Sequence, residues 1–143
     1  MIRAAKSSLG EDMMRLLAIA FVVTTSTAAA APIPIRTPIG SFPIDPIKSV
    51  THVEATRVDF LPGQQMPEHM HPVPVVCFVS KGSFLASIGR EPVRKVTVGD
   101  TTLERAGEVV HYFRNISSTK SAQLYCATLA GPDDKQLSVM LSK

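Results

Sequence analysis

"GQQMPEHMHPVPVVCFVSKG", Gly63 to Gly82, is the stretch on which the reading of this chain turns. His69 and His71 stand two apart, Pro72 and Pro74 follow, and an apolar run leads to Lys81-Gly82. Side chains two apart on a strand share a face. Both imidazoles can therefore aim into one interior, where they form half of a metal site. A His-x-His pair alone is a weak signal, because polar strand ends carry such pairs by chance. Its surroundings have to decide.

Working outward, the chain after Val50 is a series of short β-rich runs between turn signals. "VTHVEATRVDF" alternates and "LPGQQMP" breaks it. "VPVVCFVS" is followed by "KG", then "SFLASIG", "REPVRKVTV", the turn "GD" and "TTLERAGEVVHYFRN". "SAQLYCATLA" and "QLSVMLS" flank the turn "GPDDK". Strands at this spacing predict an all-β sandwich or barrel of seven or eight strands. No stretch after Ser49 carries a helical period, and 11 prolines argue against long helices.

Two spaced patterns then give a family resemblance. Gly63 is followed by "QQMPE", His69-Met70-His71, "PVP", Val75 and, after six more residues, Gly82. Gly99 is followed by "DTTLE", Arg105-Ala106-Gly107, "EVV", His111, "YFR" and Asn115. These resemble the two motifs of the cupins, small jelly-roll proteins built as a double-stranded β-helix. The sixteen residues between them, Ser83 to Val98, suit compact members of that family. The resemblance covers about Val50 to Ala130 and departs from the pattern twice. Arg105 stands for a proline, and Val75 stands where the first motif has a glutamate.

In cupins that carry the full set, two histidines and the glutamate of the first motif and the histidine of the second hold a divalent metal. Carried over, the resemblance implies His69, His71 and His111 as ligands and leaves the carboxylate position empty. Three imidazoles suit Fe, Zn, Ni, Co or Cu, with an open position for water or substrate. Glu68 adjoins His69 and should face the other side of its strand. Cys77 shares the face of Val75 and is the better-placed stand-in, with Glu104 and Gln65 weaker. Phe113, Val75, Tyr125, Met66 and Met70 are candidate pocket lining, and core packing explains them equally well. Gly63, Gly82, Gly99 and Gly107 read as turn positions, Asn115 as a residue that fixes a loop, and His52 as a rim residue. No separate general base is identifiable.

The beginning of the chain reads differently. Arg15, the apolar run Leu16 to Val23 and the alanines up to Ala31 read as a secretory signal over residues 1–31, with Met13 or Met14 as the true start. The run is too short to span a bilayer. Residues 32–49 alternate Pro and Ile and predict an extended arm along the domain edge or against a partner subunit. The domain proper is expected over 50–143. Without residues 1–31 the chain has 12 basic and 10 acidic side chains, a net +2. These are scattered, so nucleic-acid binding has no footprint. Cys77 and Cys126 form a disulfide in an oxidising compartment or act as small hydrophobes.

The expected protein is thus a periplasmic or secreted metal-binding cupin acting on a small molecule, with a three-histidine dioxygenase as its sharpest form. The alternatives are a non-catalytic small-ligand binder, or a dimeric structural module that has lost its metal. A homodimer is compatible with all three.

Overall fold

A computed structural model describes residues 36–44 and 49–141. The expected leader over 1–31 and parts of the arm over 32–49 lie outside the described residues. The rest is all-β. The strands are β1 (His52–Phe60), β2 (His69–Met70), β3 (Val75–Lys81), β4 (Ser83–Ile88), β5 (Arg94–Thr97), β6 (Thr101–Glu104), β7 (Val109–Asn115), β8 (Ala122–Ala130) and β9 (Val139–Met140). No helix among the described residues is long and apolar enough to cross a membrane.

The strands form two antiparallel sheets, ordered β1-β8-β3-β6 and β5-β4-β7-β2-β9. This is the double-stranded β-helix, or jelly roll. β4 and β6 alternate strictly between buried and half-buried residues, as strands with one face on a core must. β2 has only two residues, because Pro67 and Pro72 flank it and cannot donate to a ladder. β5 starts at Arg94, later than "REPVRKVTV" suggested. A turn in which the Glu91 N–H meets the Ile88 carbonyl at 3.0 Å, followed by Pro92, delays it.

One end of the sandwich is filled. Phe60, Phe84 and Phe113 cluster with centroids 5.0, 5.2 and 6.1 Å apart, backed by Val79, Val96, Val110 and Leu124. Gly82 turns β3 into β4 with φ +79, and a Cβ there would stand 2.6 Å from that of Ala122, so no side chain fits. Gly99 has φ +92 in the turn into β6, where the Asp100 carboxylate accepts the Thr97 N–H at 2.7 Å. Asn115 is fully buried. Its amide donates to the Leu61 and Lys120 carbonyls at 2.9 and 2.8 Å and so ties two loops to β7.

The described part of the arm, residues 36–44, has no regular structure. Gly40 lies against Phe42 and the Thr101 hydroxyl, so the arm runs beside β6, an edge strand of its sheet.

Candidate metal centre

The other end of the sandwich holds a cavity of about 230 Å³. Its inner wall is built in rows by the ladder of the first sheet. One row reads Glu54, Thr128, Val75, Glu104 across β1, β8, β3 and β6; the next reads Thr56, Cys126, Cys77, Thr102. Phe60, Phe113 and Leu124 belong to both the core and the cavity lining and form its floor.

His69 and His71 enter from the opposite sheet. Their rings meet edge to face with centroids 5.2 Å apart. The Nδ1–H of His69 donates to the Pro67 carbonyl at 2.8 Å, and that of His71 to the Leu137 carbonyl at 2.6 Å. A carbonyl can only accept, so both Nδ1 atoms carry the hydrogen and each Nε2 is left for the interior. This anchoring from behind is how ligating histidines are held in orientation. The Gly107 N–H donates to the His71 carbonyl at 2.8 Å, which brings the end of β6 to this point.

The third member is Glu104, the last residue of β6 and only 5% exposed. Its Oε2 lies 3.1 Å from His71 Nε2. Ligand atoms of His69, His71 and Glu104 all fall within 4.8 Å of one another. Ligands bonded at about 2.1 Å to one ion stand roughly 3 Å or slightly more apart, so this set fits a divalent transition metal after a small contraction. Burial works against the charged form of His71. The hydrogen bond to Glu104, that to Leu137 and the Glu104 charge outweigh it and hold the imidazole above its ordinary 6.5.

A family model described as "Cupin domain" matches residues 56–128. The chain is a cupin. Among solved structures it is similar to an oxalate oxidase in complex with the substrate analogue glycolate, at 28% identity and a TM-score of 0.53. The match covers 62% of this chain and 46% of that one, so this cupin spans under half of the oxidase's length. It shares its fold with a DMSP lyase from Ruegeria pomeroyi (18% identity, TM-score 0.53, 62% and 42% covered). The same holds for a vicilin from Capsicum annuum (18%, 0.53, 61% and 24%). No curated protein matches.

The structure assembles this cupin's site differently from the sequence expectation. His69 and His71 come together; His111 does not join them. The ladder pairs Ser87 with Tyr112 and Ile88 with Val110, so His111 is the extra residue of a β-bulge. Phe113 and Val110 face inward, and His111 points outward to the Glu68 carboxylate at 2.6 Å. Three residues, Glu108 to Val110, separate Gly107 from His111, and the bulge falls directly after them. Glu68 faces away from the cavity, as its place beside His69 requires.

The carboxylate is supplied by Glu104, which stands directly opposite Val75 in the β3–β6 ladder. The carboxylate thus stands one strand away from Val75 on the same wall. Cys77 is corrected as a ligand, because its sulfur is bonded to Cys126, its direct neighbour on β8. Gln65 is exposed in a bridge to Arg114, and Tyr125 points outward at 49% exposure, so neither reaches the cavity. Val75, Phe113 and Met66 line it. His52 is exposed at the start of β1.

The C-terminal segment is a part of the site that sequence reading missed. β9 pairs with β2, setting Met140 opposite His69, and Leu137, Ser138 and Met140 line the cavity. "QLSVMLS" showed a strand, but a backbone carbonyl that orients a histidine leaves no mark in residue types.

Proposed function

We propose that this cupin holds a divalent transition metal on His69, His71 and Glu104 and acts on a small molecule in the adjoining cavity. The observation that carries the proposal is the convergence of two anchored imidazoles and a buried carboxylate on one apolar cavity. Two histidines and one carboxylate with open positions are the donor set of non-haem Fe(II) oxygenases, which favours oxygenase chemistry. A bound ion supplies Lewis-acid or redox chemistry. The chain's own residues orient the imidazoles, supply one negative charge and exclude water with apolar walls. The likeness to an oxalate oxidase supports oxidation of a small oxygen-bearing molecule. The cavity lies below the range of about 300–1,000 Å³ usual for drug-sized ligands, which supports a small one.

The test is elemental analysis of tag-free protein after dialysis, with oxygen uptake followed on Fe(II)-loaded samples. A stoichiometric ion, lost in His69→Ala, His71→Ala and Glu104→Ala, is the expected result. Unchanged metal content in all three variants contradicts it. One observation favours a metal-free binding module instead: His71 and Glu104 already satisfy each other at 3.1 Å. Protein that takes up no ion from any divalent salt would establish that reading.

We also propose export to the periplasm or beyond, which the leader-like residues 1–31 and the Cys77–Cys126 disulfide support. A homodimer is supported by the outer face of the first sheet, where Val53, Phe78 and Tyr125 are exposed. Sedimentation before and after deletion of residues 32–48 tests whether the arm contributes.

A further inference from the structure

We infer that the cavity selects its ligand by charge: it takes a small molecule with an oxygen-donor head of at most one negative charge and a neutral or cationic body, and Glu54 turns anionic bodies away. The inference rests on the metal reading above, because the ion holds the head.

No Lys, Arg, Asn or Gln occurs among the described residues that line the cavity. Its ionisable members are Glu104, the two imidazoles and Glu54. Glu54 and Glu104 occupy the two ends of one row, with Thr128 and Val75 between them. Three interstrand spacings separate them, roughly 14 Å along a flat sheet and less across a curved one. The cavity therefore has a carboxylate at each side at the same level.

The two carboxylates are not equivalent. Glu104 is buried against His71, whereas Glu54 is exposed and makes no side-chain hydrogen bond or ion pair with a described residue. Its charge is uncompensated and faces the cavity. Below it on β1 the inward residues run Thr56, Val58, Phe60, from polar to aromatic toward the floor.

A divalent ion less the Glu104 charge leaves one positive charge at one side, and Glu54 places one negative charge at the other. A monoanionic head can be accepted at the ion. A second negative charge on the ligand body meets Glu54 across apolar walls with no cation to receive it. A positive or neutral body meets a partner or nothing adverse. Charge thus separates this cavity from one built for small dicarboxylates.

The test uses Co(II)-loaded full-length protein and three benzohydroxamates sharing one chelating head. One is unsubstituted, one carries a para-carboxylate and one a para-aminomethyl group, cationic near neutral pH. Affinity is read from the cobalt absorption bands and by calorimetry. Charges roughly 7 Å apart at the nearly water-like dielectric around exposed Glu54 should make the cationic probe about tenfold tighter than the anionic one. Glu54→Gln should reduce that ratio to under about threefold, and Glu54→Lys should invert it. Failure of the wild type to take up Co(II) overturns the metal reading and this inference with it. Uptake of Co(II) with the same probe ratio in wild type and Glu54→Gln overturns this inference alone.

Discussion

Two histidine–glutamate pairs sit on opposite sides of the same sheet. His111 and Glu68 are 2.6 Å apart, His71 and Glu104 3.1 Å. The shorter pair is the less consequential. The His111 side chain is 50% exposed and meets its glutamate through Nδ1, so water competes with the contact and salt screens it. His71 is 15% exposed, fixed from behind by Leu137, and meets a carboxylate that has almost no solvent. Anchoring and burial, not separation, make the inner pair the candidate for holding a metal.

The largest effect should come from breaking the inner pair. Glu104→Ala or His71→Ala is expected to weaken Co(II) or Fe(II) binding by at least about a hundredfold, measured by competition with a chromophoric chelator. The pairing of Val75 with Glu104 offers a sharper form. Val75→Glu combined with Glu104→Val keeps the carboxylate on the same wall and should recover binding to within about tenfold of wild type. Failure of the double variant, once shown folded, would mean that the strand supplying the charge matters as well as the wall.

The disulfide should come next. It closes a separation of 49 residues, so Cys77→Ser with Cys126→Ser should cost about 2–4 kcal/mol in denaturant unfolding. Metal affinity should move by no more than about threefold, because neither sulfur is a ligand. Loss of metal in that variant would return Cys77 to the ligand set.

Acidity separates the pairs further. In metal-free protein the folded-state pKa of His71 lies above 6.5. Its stabilising contribution is then fully present below 6.5 and is lost as pH rises through the folded value. Metal needs the neutral ring, so affinity should run the other way and increase over the same interval. Opposed pH trends for unfolding of the apo protein and for metal binding are expected, and the apo trend should disappear in His71→Ala. The smallest effect belongs to the outer pair. His111→Ala should change stability by about 0–1 kcal/mol and leave metal content intact.

The fold was legible because its signals are local. Gly63, Gly82, Gly99 and Gly107 mark turns that need positive φ, and the apolar runs between them alternate with the strand period. His69 and His71 were legible for the same reason, since a two-residue spacing fixes a shared face. His111 was not. A bulge shifts the alternation by one residue and leaves no mark in residue types. Glu104 is remote in sequence from the histidines, and nothing local marks it as their partner. Only the β3–β6 register shows that it stands opposite Val75. The disulfide depended on register in the same way, since β3 and β8 set Cys77 against Cys126.

The most direct measurement is anomalous diffraction at the cobalt edge from Co(II)-loaded crystals. One peak within about 2.2 Å of His69 Nε2, His71 Nε2 and a Glu104 oxygen is the expected result. A peak bonded to His111, or no peak between His71 and Glu104, would contradict the two-histidine, one-carboxylate centre.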